Sequence, residues 1–188
     1  GDASGNLNLD GTVTRAQFAK MAVSASSYQD SIGENGSGYS LFSDVKSSCW
    51  ASEYIKIAVQ EGWMVGYTDG SFRPYGAVTL EQACTAALRM LGYPSSALAG
   101  SSPAAQLNKA GALGLRDQIT LGQGGVMTRR DCMYLFYNLL TARNSSGQTY
   151  AAALGYTVTN GQVDYASVVE DSLSGPYVCG ASAPSLSF

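Results

Sequence analysis

A mainly α protein built from tandem helix-loop-helix repeats is what this 188-residue sequence predicts. Three observations carry that expectation: a glycine-spaced motif that recurs, apolar residues at helical spacing between its copies, and a threonine that opens a helix at the same point of each copy. The length suits one domain with an appendage, large enough for a core that needs neither metal nor disulfides.

The repeat begins at the first residue. The run Gly-Asp-Ala-Ser-Gly-Asn-Leu-Asn-Leu-Asp-Gly-Thr-Val-Thr aligns without a gap, 65 residues on, with Gly66 to Thr79. Gly1, Gly5, Leu7, Leu9, Gly11, Val13 and Thr14 meet Gly66, Gly70, Phe72, Pro74, Gly76, Val78 and Thr79. A third copy follows 49 residues later, where Gly125, Met127 and Thr128 match Gly76, Val78 and Thr79. Its first half is looser: Ala110, Gly114 and Leu115 answer Ala58, Gly62 and Trp63 across a loop three residues shorter.

In the complete central copy, Trp50, Tyr54, Ile55, Ala58 and Val59 fall at helical spacing and stop at Gly62, a C-terminal glycine. The loop from Trp63 to Ala77 carries Gly66, Asp69-Gly70, Pro74 and Gly76, all turn formers. A second helix starts at Thr79, with an apolar stripe of Ala83, Ala87, Leu88 and Leu91 that ends at Gly92. The three second helices open alike. Thr14, Thr79 and Thr128 stand at the N-cap, Gln17, Gln82 and Asp131 sit three residues later as capping-box partners, and Val13, Val78 and Met127 precede them as hydrophobic staples. Capping does not explain Arg15 and Arg129, because a cation in the first turn opposes the helix dipole. The unit boundaries follow as 1–28 for a partial copy, 39–93 for the complete one and 94–143 for a divergent one.

Composition narrows the function classes. Net charge is −3, with a pI of about 4.8, so no positive field would draw in nucleic acid or an anionic membrane. Histidine is absent, which removes Ser-His-Asp and Cys-His catalysis and every histidine-containing metal site. No apolar run reaches the roughly 20 residues of a membrane span, and the polar start Gly1 to Asn6 is no signal peptide, so a soluble chain is expected. Cys49, Cys84, Cys132 and Cys179 lie too far apart for a Cys-x-x-Cys site. They are read as singly buried thiols. In an exported chain three pairings into two bridges remain open. The run from Asn6 to Gly11 approaches a calcium loop, but its twelfth position is Gln17, which supplies no bidentate carboxylate. No metal or cofactor is expected. Glu53, Glu61 and Glu81 read as solvated helix positions rather than a glycosidase pair, so no enzyme is expected either.

As an ordered string, Phe42-Ser43-Asp44-Val45, Cys49-Trp50-Ala51-Ser52-Glu53-Tyr54-Ile55, Gly62 to Pro74 and Val78-Thr79 resemble the S-layer homology family, tandem modules that hold bacterial surface proteins on the cell wall. With the partial copies, the resemblance covers about residues 1–143. It implies a pseudo-threefold arrangement around a central three-helix bundle, and an extracellular place on the wall. It also implies binding of an acidic secondary cell wall polysaccharide in clefts between modules, with no nucleic acid or membrane partner. By position it implies Arg15 and Arg129 for the family's arginine, Trp50 for the indole, and Gly66, Tyr67, Asp69 and Gly70 for the loop. The chemistry agrees: arginine offers a planar fork to a carboxylate, glycine admits close approach, and an aromatic face suits a sugar ring.

Departures from the family pattern limit that expectation. Leu80 stands where the middle arginine would be, Ser102 stands near the place of Trp50 in the third copy, and the first copy lacks its leading helix. At most one or two clefts should work. The alternative role is an assembly unit of a surface layer or fibre, with protein partners or self-assembly. After Arg143 the composition shifts to Asn144-Ser145-Ser146-Gly147, and residues 144–188 read as an appendage or linker, with helical candidates at Gln148 to Leu154 and Val163 to Asp171.

Overall fold

The computed structural model describes residues 7–33, 40–166 and 168. It is mainly helical. In chain order the helices are α1 (Arg15–Ser24), α2 (Ser52–Gln60), α3 (Leu80–Met90), α4 (Ala104–Ala112), α5 (Arg129–Thr141) and the single turn α6 (Tyr150–Ala153). A small antiparallel hairpin follows, with β1 (Val158–Thr159) paired to β2 (Gln162–Val163). Asn160 and Gly161 take positive φ at its turn, the Asn-Gly pairing that the right-handed twist of a tight hairpin favours.

Helices α1, α3 and α5 start at the three predicted threonines. In α1 and α5 the capping box closes in both directions: Gln17 N–H donates to Thr14 Oγ1 and Thr14 N–H to Gln17 Oε1, with Asp131 and Thr128 arranged likewise. In α3 only the Gln82 half forms, by a 3.3 Å bond from Thr79 N–H, and the buried Thr79 hydroxyl has no partner.

Just ahead of these caps the three copies are stitched into a closed ring. Val13 N–H donates to Met127 O, Met127 N–H to Val78 O, and Val78 N–H to Val13 O, each at 3.0 Å. Two residues on, Arg15, Leu80 and Arg129 N–H groups donate to Gly76, Gly125 and Gly11 carbonyls, at 2.8, 2.8 and 2.9 Å. Each helix therefore satisfies an orphan N-terminal donor on the loop of another copy, so no copy is complete alone. Val13, Val78 and Met127, the expected staples, are wholly buried inside this ring.

The core continues down the helices. Phe18 of α1 meets Phe136 of α5 at 5.5 Å between ring centres, and Ile55, Phe72, Leu88 and Leu135 are fully buried in the same core. α2 packs on α1, and α4 packs on α3.

The appendage lies across the other end. Ser145 N–H donates to Leu91 O, Tyr150 N–H to Ala142 O, and the Tyr150 hydroxyl to Ala25 O. Those three carbonyls belong to the C-caps of α3, α5 and α1, so one segment closes all three helix ends. The first helical candidate shortens to α6. Val163, the start of the second, is a strand residue, and half of that candidate's remainder, 167 and 169–171, lies outside the described residues. Cys49, Cys84 and Cys132 are free thiols, the latter two buried and pushed up to about 12 by desolvation, while Cys179 lies outside the described residues.

Candidate functional site

A cavity of about 320 Å³ opens between the loop of the second unit, one face of α3 and the segment before α4. Arg15, Trp63, Met64, Val65, Gly66 and Tyr67 form one wall; Glu81, Gln82, Thr85 and Arg89 of α3 form the floor; Ser102 and Pro103 close the far side.

The first-turn position of Arg15 has a structural cause. Its Nε donates to Phe72 O at 2.8 Å and its Nη2 to Val65 O at 2.6 Å, so the side chain crosses from α1 to the next loop. The guanidinium lies over the rings of Phe72 (4.4 Å) and Tyr67 (5.1 Å), and only 3% of the residue is exposed. Burial lowers its pKa, and Tyr67 and Asp44 offset part of that. Tyr67 is held on a second side by Arg73, whose guanidinium carbon is 3.9 Å from the ring centre. Arg89, in the last turn of α3, donates Nη1 to Gly62 O. Neither Arg15 nor Arg89 is ion-paired: the ion pairs among the described residues are Arg73 with Asp69 and Arg130 with Asp10, and Glu81 Oε2 accepts from Gly124 N–H. The cavity thus holds two cations without a carboxylate partner.

Of the residues assigned from sequence, Arg15, Gly66 and Tyr67 come together here. Gly66 is required by packing as much as by access, since a Cβ there would stand 2.1 Å from the Phe42 ring. Asp69 and Gly70 shape the turn behind the wall instead. Asp69 accepts from Ser71 N–H, Ser71 Oγ and Arg73 Nη2, which hold its carboxyl down at about 2, and Gly70 takes φ +78°. Trp50 is not in this cavity; it is 53% exposed and leans on Tyr54 at 6.4 Å. Arg129 is also elsewhere, with Nη1 3.3 Å from Leu7 O, which repeats the bond of Arg15 to the matching residue Phe72. Asp10, part of the calcium-like run, pairs with Arg130.

Sequence reading missed several contributors. Trp63 is a buried core residue that also lines the cavity, and Arg89 sits in the last turn of α3, where a cation looks like ordinary helix surface. Asp44 was part of the motif but without a role; its carboxylate accepts from Phe72 and Arg73 N–H at 2.8 and 2.7 Å and fixes the loop. Leu80 of the second unit stands in place of the arginine that would reach the third unit's loop, and there Arg116 supplies the missing bond by donating Nη2 to Leu121 O.

Against known proteins, residues 41–84 match the S-layer homology domain, spanning α2, its loop and the start of α3. These residues are an S-layer homology domain. The chain is similar to the middle cell wall protein of Brevibacillus brevis, at 33% identity over 144 residues, 74% of this chain and 13% of that protein. It is similar also to a surface layer protein of Brevibacillus choshinensis, at 30% over 61% of this chain and 10% of that protein. With a cell surface protein of Thermoanaerobacter kivui it shares 32% over 66% of this chain and 16% of that protein. The chain therefore spans only a small part of the length of these relatives, all bacterial surface proteins by description.

Proposed function

We propose that this chain anchors a larger bacterial surface protein to the cell wall, without catalysis, by holding an acidic secondary wall polysaccharide in the cleft between its second and third units. The observation that carries the reading is the pair of guanidinium groups without a carboxylate partner, Arg15 and Arg89, on one cavity with the aromatic walls Tyr67 and Trp63. A carboxylated sugar matches that chemistry, with its ring against an aromatic face and its acid toward an arginine fork. By repeat register, Arg129, Gln17, Lys20 and Trp50 hold around α1 the places that Arg15, Gln82, Thr85 and Ser102 hold around α3. They make the candidate second cleft; its loop, Gly1 to Asn6, is outside the described residues.

The test uses purified wall sacculi before and after removal of the secondary polysaccharide. The chain should bind the first and not the second; equal binding to both sinks the proposal. Thr85→Trp fills the cavity while keeping both arginines in the chain, and should abolish binding while leaving the melting temperature within a few degrees. Binding should also weaken as pH falls through the glycan carboxylate range near ~4, since no histidine titrates between pH 5 and 8. A midpoint near ~6.5 would contradict that assignment. The second reading, a protein-assembly unit, is favoured by the bare apolar face of α5, where Met133 and Tyr137 are 46% and 54% exposed.

A further inference from the structure

The leading helices of the second and third units each leave a crevice against the linker that precedes them. In the second unit it lies between α2 and the 3-10 turn Gln29–Ser31; in the third it lies between α4 and the turn Ser95–Ala97. In repeat register Glu53, Lys56, Ile57 and Gln60 of α2 correspond to Ala105, Asn108, Lys109 and Ala112 of α4, and both sets line their crevices. The volumes differ, at about 160 Å³ in the second unit and about 560 Å³ in the third. Alanine at the places of Glu53 and Gln60 leaves that space open.

The register also changes the charge. In the smaller crevice an acid is built in: Glu53 Oε2 accepts from Gly33 N–H at 2.9 Å and fastens the linker to α2. No acidic residue lines the larger one, where Lys109 brings in a cation at the place of the apolar Ile57. The Lys109 ammonium lies 4.4 Å from the centre of the Tyr93 ring, and the Tyr93 hydroxyl donates to Asn144 O at 3.1 Å, which fixes that ring. Both ion pairs among the described residues are elsewhere, so Lys109 has no carboxylate partner. A half-buried cation over an aromatic ring, beside apolar walls, is complementary to an anion carried on a small apolar body. Asn108 adds an amide donor and an acceptor, the pair that one peptide unit completes.

We propose that the crevice between α4 and its linker binds the C-terminal carboxylate of a peptide with alanine-sized side chains. The carboxylate faces Lys109, the last peptide unit meets Asn108, and the methyl groups lie against Leu98, Ala105 and Ala112. The Glu53 carboxylate of the second unit is the built-in counterpart of this ligand. No residue lines both this crevice and the cavity at Arg15 and Arg89, so the proposal is independent of the polysaccharide reading.

The probe is N-acetyl-alanyl-alanine, titrated into the isotope-labelled chain and followed by amide NMR shifts. Shifts at Tyr93, Leu98, Lys109 and Ala112 should saturate, and the C-terminal amide of the same peptide should bind about ten-fold more weakly. Lys109→Gln should weaken the acid about ten-fold and leave the amide unchanged. Ala112→Gln, at an exposed position, restores the residue of α2 and should abolish binding without changing the melting temperature. Both variants should still bind wall sacculi as the parent does. Absence of saturable shifts, or equal affinity for acid and amide, would overturn the proposal. So would undiminished binding by either variant, loss of sacculus binding alongside peptide binding, or octanoate binding as tightly as the peptide, the mark of a site that reads no peptide unit.

Discussion

An arginine in the first turn of a helix is costly by dipole arguments, and Arg15 and Arg129 show what outweighs that cost. Each reaches the carbonyl at one register of the next loop, Phe72 and Leu7, and Arg116 serves the third, Leu121. A charge-assisted bond to a buried carbonyl stabilises by about 1.5 to 3 kcal/mol, and leaving the acceptor bare adds to the loss. Arg15→Ala removes two such bonds in a buried setting, so it should cost roughly 3 kcal/mol and lower the melting temperature by roughly 6 to 12 °C. Arg129→Ala removes one longer bond at a half-buried site, and should cost no more than ~1 kcal/mol. Equal losses in thermal melts would refute the distinction. Thiol accessibility follows from burial in the same way. Native-state labelling should modify Cys49 and spare Cys84 and Cys132, whose thiols are pushed up to about 12. Reaction of all three at one rate would show that α3 and α5 open readily.

At the scale of elements, the three caps look identical in sequence and differ in space. Replacing Thr14 or Thr128 by alanine should cost ~1 kcal/mol, the usual value for a lost cap. Thr79→Ala should cost distinctly less, because its hydroxyl makes no bond and is buried besides. Urea unfolding of the three variants orders them, and a Thr79 variant as damaged as the others would mean that its hydroxyl caps α3 in solution. Helices of nine to thirteen residues are marginal on their own in water, so the packing faces and caps together hold them.

At the scale of the whole molecule, the ring through Val13, Val78 and Met127 and the appendage at the opposite end make the copies interdependent. Truncation after Arg143 would uncover Leu91, Ala142 and Ala25 carbonyls and remove the buried Tyr150 ring. It should lower stability by several kcal/mol or cause aggregation, with the loss spread over all helices rather than confined to α5. A truncated chain that melts at the temperature of the intact one would make residues 144–188 a passive extension.

Residue order by itself determined the helical class, the repeat register, the positions of the caps and the glycine-rich loops. Those features rest on interactions among near neighbours in the chain, such as Thr14 with Gln17, and on conformational limits such as positive φ at Gly62 and Gly70. What surrounds the cavity was decided only by tertiary structure. Arg15 meets Tyr67 across 52 positions, and Arg89 faces the same space from another helix, so no local pattern distinguishes Arg89 from a surface cation. The same holds for Trp50 and Trp63: both are tryptophans beside a helix end, and only the packing of one unit on the next buries Trp63 in the cleft wall and leaves Trp50 in solvent. Sequence spacing specifies which turn a residue occupies; which neighbour that turn meets depends on where separate copies of the repeat close on one another.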